Sequence, residues 1–92
     1  MPPSHIVMYA RERPCPDVTR SRERLSELNL AWTEFDIESY DMAATTVEEM
    51  TGQRRVPTIL IGEAVLVEPS NDELDEALSN AGYEIRVTSR SN

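Results

Sequence analysis

Cys15 is the residue of this chain whose type and surroundings best suit covalent chemistry. It is the only cysteine, and it stands between Pro14 and Pro16, which is not the apolar run expected around a buried structural cysteine. A thiol at the start of a helix faces unpaired amide N–H groups and the positive end of the helix dipole, and both stabilise a thiolate. Cys15 is therefore a candidate nucleophile. A single cysteine excludes an internal disulfide and a multi-cysteine zinc site.

The basic residues are concentrated near this thiol in the sequence. The chain has nine basic residues, all arginine, against 17 acidic ones, for a net charge of −8. Seven of them fall in two stretches: Arg11, Arg13, Arg20, Arg22 and Arg24, and then Arg54 and Arg55. The stretches form one basic face if they meet in space, and otherwise they are scattered solvated side chains. The net charge argues against nucleic acid or an anionic membrane as partner.

The elements that must position Cys15 can be predicted from hydrophobic periodicity and from turn residues. The pattern predicts strands at about 5–9, 33–37, 58–61 and 64–67, and helices at about 17–28, 42–50 and 71–80. The first two strands are joined by a helix and are expected to be parallel, with a right-handed crossover. The last two form a hairpin across Gly62 and Glu63. The predicted fold class is α/β, a four-stranded mixed sheet of order β-α-β-α-β-β-α with three helices.

With 92 residues, the chain is expected to form a single domain. We expect its core to span residues 5–83 and the C-terminal tail, residues 84–92, to be frayed. There is no run of about 20 apolar residues to cross a membrane, and the N-terminus does not resemble a secretion leader. A soluble, cytoplasmic monomer is therefore expected.

Several of these segments together resemble a glutaredoxin. The resemblance covers residues 5–81: the strand ending at Tyr9, a basic loop, Cys15-Pro16, a helix, and then the stretch from Met50 to Thr58. Its most specific part is Thr-Gly-Gln-Arg at 51–54, followed by Val-Pro before a strand. The resemblance implies a thioredoxin-like fold and a redox function, with a cis-proline at Pro57 packed beside Cys15.

The same resemblance implies a binding site for a low-molecular-weight thiol. A basic residue before the cysteine loop meets the glutathione carboxylate in that family, and Arg11 matches it best, with Arg13 second. An arginine near the proline loop matches Arg54 or Arg55. The backbone of Val56 is expected to pair with the bound thiol peptide, and Asn71-Asp72 resembles the polar pair that opens the last helix. The implied thiol-ligand residues are Arg11, Arg13, Arg54, Arg55, Val56, Pro57, Asn71 and Asp72, and no metal ligand is expected.

The chain also departs from the family's usual motifs. Val18 stands where a dithiol glutaredoxin has its second cysteine, so Cys15 has no resolving partner. The usual glycine pair after the last strand is replaced by Glu68-Pro69, and Pro69-Ser70 is more similar to the mycothiol-dependent branch. The leading hypothesis is a monothiol thiol–disulfide oxidoreductase that reduces mixed disulfides between proteins and glutathione or another low-molecular-weight thiol as cosubstrate.

Two alternatives remain open at this point. In the first, two chains share a [2Fe–2S] cluster, each giving its Cys15 thiolate, with two glutathione thiolates completing the ligands. In the second, the chain is a non-catalytic thioredoxin-fold adaptor with a vestigial thiol. An iron–sulfur absorbance in the purified protein would favour the first, and an unreactive Cys15 the second.

Overall fold

The computed structural model describes residues 5–85 of the chain. Its elements are β1 (Ile6–Ala10), α1 (Pro16–Glu27), β2 (Thr33–Asp36), α2 (Asp41–Thr51), β3 (Thr58–Ile61), β4 (Ala64–Val67) and α3 (Asn71–Asn80). The predicted order is confirmed. The observed boundaries agree closely with the predicted ones because local residues determine them. Pro16 occupies the first turn of α1, and Gly52 ends α2 in the left-handed conformation, at φ +81°.

The four strands form one mixed sheet in the order β2-β1-β3-β4. β1 and β2 are parallel, whereas β3 is antiparallel to both β1 and β4. The parallel crossover and the hairpin were both predicted, and the α/β fold class, a thioredoxin-like arrangement of four strands and three helices, is confirmed. β1 lies second in the sheet, with neighbours on both sides, which explains why it is an almost continuous apolar run.

Part of the hydrophobic core lies on one face of the two central strands. Ile6 and Met8 of β1 are fully buried, and so is Ile59 of β3, the register partner of Met8. Because side chains alternate along a strand, these residues share one face of the sheet. Leu25 of α1 and Leu74 of α3 are also fully buried in the same core cluster. The core therefore holds α1, which begins at Cys15, against the central strands.

An ion pair joins α1 to α3 at the edge of this core. Arg24 donates from Nη2 and Nε to the two carboxylate oxygens of Asp75, at 2.6 and 2.9 Å. The two side chains are only 13% and 16% exposed. The hydrogen bonds to Asp75 raise the pKa of Arg24 far above its usual range, and one to Glu27 adds to this. The pair fixes how α1 lies relative to α3 in both distance and orientation.

The last described residues contact the core. Tyr83, at the end of the predicted core, and Ile85, in the predicted tail, are half-buried and pack against the hydrophobic cluster. Residues 86–92, the rest of that tail, lie outside the described residues. Among the helices of residues 5–85, none is long and apolar enough to cross a membrane.

We expect Glu34 to make the stability of the protein depend on pH in the acid range. Hydrogen bonds from Arg22 lower the pKa of Glu34, and the indole N–H of Trp32, 3.0 Å away, adds to the effect. A carboxyl whose folded-state pKa is lowered stabilises the fold above its unfolded value of about 4.3 and loses that contribution as the pH falls through the folded value. Glu34→Gln should therefore destabilise the protein at pH 7, and this loss should become smaller at pH 3.

This prediction can be measured by urea unfolding at the two pH values. At pH 7 the free energy of unfolding should fall by less than about 1 kcal/mol, because the Arg22–Glu34 pair is partly exposed to solvent. Glu49→Gln, on the exposed surface of α2, serves as the control for a removed carboxylate. An equal loss at pH 7 and pH 3 would mean that Glu34 acts through packing and not through its charge.

Candidate thiol site

The sheet register brings four loops to the same end of the molecule. Tyr9, near the end of β1, pairs with Thr58 at the start of β3, and Thr58 pairs with Val67 at the end of β4. On the other side, Ala10 pairs with Asp36 at the end of β2. The connections that leave this end are residues 11–15, 37–40, 52–57 and 68–70. They contain all the candidate site residues except Asn71 and Asp72, which begin α3 at the same end.

Cys15 is the N-cap residue of α1. Its backbone is extended, at φ −149° and ψ 120°, and its side chain makes no capping hydrogen bond to Pro16–Glu27. Its carbonyl accepts the helical hydrogen bond from Thr19, at 2.9 Å. The side chain is half-buried and packs against the core cluster. The thiol is thus placed at the positive end of the helix dipole and retains access to solvent.

The loop before β3 presents a short stretch of free main chain. Val56 and Pro57 are both buried, and the peptide bond between them is cis. The carbonyl of Pro57 accepts a hydrogen bond from the N–H of Glu68, at 2.8 Å. Within residues 5–85, neither the N–H nor the C=O of Val56 has a hydrogen-bond partner. The main-chain donor and acceptor of Val56 are therefore unused among the described residues.

The candidate arginines do not form an unpaired basic face. Arg11 and Arg13 approach the same carboxylate oxygen, Oε2 of Glu38, at 3.9 and 2.5 Å. Arg54 donates to Glu48 of α2 at 2.8 Å, and Arg55 lies 3.3 Å from Glu68. The basic face considered from the sequence is corrected in this respect: the arginines do lie at one end of the sheet, but neighbouring carboxylates offset most of their charge. Those partners come from other elements, so sequence spacing did not reveal them.

Asn71 and Asp72 are exposed in the first turn of α3. The turn is fixed by a capping box, in which Ser70 accepts from the N–H of Glu73 and the Glu73 carboxylate accepts from the N–H of Ser70. Both polar residues are therefore held at the site end of the sheet. Asp72 additionally lies at the positive end of this helix, where a negative charge is favourable.

Arg20 is a residue of the site that the sequence analysis did not single out for a role. Its Nη2 donates to the carbonyl of Pro69 at 3.0 Å and lies 2.9 Å from the carboxylate of Asp17. It thus connects the first turns of α1 to the loop between β4 and α3. The spacing of Asp17 and Arg20 is a helical i,i+3 pair and could have been predicted. The contact with Pro69, 49 positions away, could not.

Residues 5–85 provide no cluster of side chains suited to a metal ion. Among the described residues, no three or more His, Cys, Asp or Glu side chains lie close enough together to hold one. Elsewhere on α1, the pKa of Arg22 is raised, mainly by its hydrogen bond with Glu34. Cys15 at the start of α1 and the loop that contains Val56 and Pro57 thus lie at the same end of the sheet.

These features define a protein of thioredoxin-like fold with one thiol at the start of its first helix. Solved structures agree with this class. The crystal structure of a thioredoxin-like protein matches this chain with 25% sequence identity and a TM-score of 0.72. The match covers 79% of this chain and 99% of that chain. The glutaredoxin from Archaeoglobus fulgidus is 19% identical over 80% of this chain and 85% of that chain, with a TM-score of 0.71. A wheat glutaredoxin is 19% identical over 84% of this chain and 81% of that chain, with a TM-score of 0.62.

The glutaredoxin family model matches residues 6–66, about two thirds of the chain. Comparison with the curated proteins gives no match. The chain belongs to the glutaredoxin family, which confirms the resemblance seen in the sequence. Members of this family generally act on thiols and protein disulfides with glutathione-type thiols, so the function supported is of the thiol–disulfide oxidoreductase type.

Proposed function

We propose that this protein is a monothiol glutaredoxin that reduces mixed disulfides between proteins and a low-molecular-weight thiol. The observation that carries the proposal is the position of Cys15, the only cysteine, half-buried as the N-cap of α1. A chain with one thiol cannot close an internal disulfide, so a second thiol must come from solution to complete the reaction.

The reaction proceeds by two exchanges. The Cys15 thiolate attacks the low-molecular-weight sulfur of the mixed disulfide, and the protein substrate leaves as a thiolate that takes up a proton. Cys15 is left in a mixed disulfide with the small thiol. A second molecule of that thiol, as thiolate, attacks the small-thiol sulfur, releases Cys15 and leaves as the symmetrical disulfide. Overall, the mixed disulfide and one free small thiol become the protein thiol and the symmetrical small disulfide, so the free small thiol is the reductant.

The remaining site residues bind the small thiol in this proposal. The free N–H and C=O of Val56 pair with its peptide-like part beside Pro57, which supports the chain of the ligand near the sulfur. Arg11, Arg13, Arg54 and Arg55 offer N–H donors to ligand oxygens, and Asn71 and Asp72 face it from the start of α3. One chain holds all the parts, so the protein acts as a monomer. The cytoplasm, where free thiols are kept reduced, suits its single cysteine.

The proposal is tested by mass spectrometry and by turnover. Treatment with glutathione disulfide, or with another small disulfide, should add one small-thiol group per chain at Cys15. A thiol in solution should then remove that group. In the steady state, the protein should release the small thiol from a glutathionylated protein substrate. Stoichiometric addition without turnover would favour the adaptor alternative, and an iron–sulfur absorbance in the purified protein would favour cluster binding.

A further inference from the structure

Glu68 adopts a backbone conformation that is unusual for a residue with a side chain. It follows β4 immediately and has φ +50°, in the left-handed region, which is unfavourable for a residue with a Cβ atom. Two contacts hold it there. Its N–H donates to the carbonyl of Pro57 at 2.8 Å, and the next residue, Pro69, is buried and accepts from Arg20. The backbone of Glu68 is therefore tied to both the proline loop and α1.

This conformation directs a carboxylate toward the proposed ligand site. Oε1 of Glu68 lies 3.3 Å from Nη1 of Arg55, and the two side chains are 35% and 58% exposed. Arg55 directly precedes Val56, whose main-chain N–H and C=O are free within residues 5–85. The Glu68 carboxylate thus stands beside the peptide edge that a small thiol would use, and solvent reaches it.

Charge pairing at this end of the sheet reduces the advantage of a negatively charged ligand. Arg55 is paired with Glu68, and Arg11 and Arg13 both approach Glu38. A ligand carboxylate that approaches Arg55 therefore also comes close to the Glu68 carboxylate. The two carboxylates repel each other, which offsets part of the attraction of the arginine. A ligand with hydroxyl or ammonium groups can instead donate to Glu68 without breaking its pair.

We propose that Glu68 sets the specificity of the site, favouring a low-molecular-weight thiol without net negative charge over a carboxylate-bearing one. The inference rests on the proposed function, because it concerns the cosubstrate of Cys15. Glu68 is a specificity-determining residue and does not take part in bond exchange.

The first experiment compares two alkylating reagents of similar size, anionic iodoacetate and neutral iodoacetamide. The rate at which each reagent modifies Cys15 is followed by intact mass. The ratio of the iodoacetate rate to the iodoacetamide rate is then divided by the same ratio for free 2-mercaptoethanol. Glu68→Gln removes the charge and keeps the size, and should raise the iodoacetate-to-iodoacetamide ratio about threefold at low salt. High salt should shrink the change. Glu63→Gln, in the exposed turn at the opposite end of β4, is the matched control and should leave the ratio unchanged.

The second experiment uses three disulfides that differ in charge: cystamine, bis(2-hydroxyethyl) disulfide and dithiodiglycolate. The native protein should react faster with the cationic and neutral compounds than with the anionic one, and Glu68→Gln should narrow that difference. An unchanged alkylation ratio in Glu68→Gln, or an equal change in Glu63→Gln, would overturn the inference. Reaction with all three disulfides at the same rate would overturn it while leaving the proposed function intact. No reaction with any of them would contradict the proposed function itself and, with it, this assignment.

Discussion

Cys15→Ser is expected to reduce thiol–disulfide exchange to the uncatalysed background rate. A serine hydroxyl cannot form the mixed disulfide through which both exchanges pass, and the chain has no other cysteine to replace it. The loss should be complete for every disulfide substrate, whatever its charge. The measurement is steady-state reduction of a mixed disulfide with a small thiol as reductant, together with intact mass after treatment with the disulfide.

The structure makes this substitution unusually easy to interpret. Cys15 is the N-cap of α1 and makes no capping hydrogen bond to that helix, whereas serine is among the best N-cap residues and contributes about 1 kcal/mol there. The variant should therefore be at least as stable as the native protein. The control moves the thiol: Cys15→Ser combined with Ser26→Cys has the native composition, with the thiol on the exposed side of α1. Native turnover by that variant would refute the assignment of Cys15.

Leu25→Ala should produce the largest loss of stability among the substitutions considered. Leu25 is fully buried and lies in α1, the helix that carries Cys15 at its N-terminus. Truncating a buried leucine removes apolar contacts and leaves a cavity, at a cost of about 2–5 kcal/mol. Domains of this size have only about 5–15 kcal/mol in total, so the melting temperature should fall by roughly 10 °C or more.

Glu23→Ala is the control for this prediction. Glu23 is exposed on the same helix, so its replacement tests the effect of alanine in α1 without a cavity, and the free energy of unfolding should change by less than about 0.5 kcal/mol. Both variants are measured by urea and thermal unfolding. If Leu25→Ala lowers the free energy of unfolding no more than Glu23→Ala does, then the burial of Leu25 does not hold α1 against the core.

The elements and their order could be predicted because the signals for them are local. β1 and β3 are short runs of β-branched and aliphatic residues, and Pro16 marks the start of α1. The capping residues of α3 and the glycine that ends α2 are recognisable in the same way. The position of Cys15 at the start of α1 could also be predicted from its immediate neighbours, the two prolines that flank it. For these features the sequence was sufficient.

The charge of the site depends on contacts that no local pattern encodes. Arg55 and Glu68 are 13 residues apart, and Arg13 and Glu38 are 25 apart. They meet because the ends of β1, β2, β3 and β4 lie at one end of the sheet. The loops that carry Arg11, Arg13, Arg54 and Arg55 lie at one end of the sheet, but their tertiary partners decided whether these arginines are paired with carboxylates. The positive φ of Glu68 also depends on tertiary contacts, because a hydrogen bond to Pro57 and the burial of Pro69 stabilise it. The sequence by itself determined the thiol and the helix that carries it, and the packed sheet decided which charges surround that thiol.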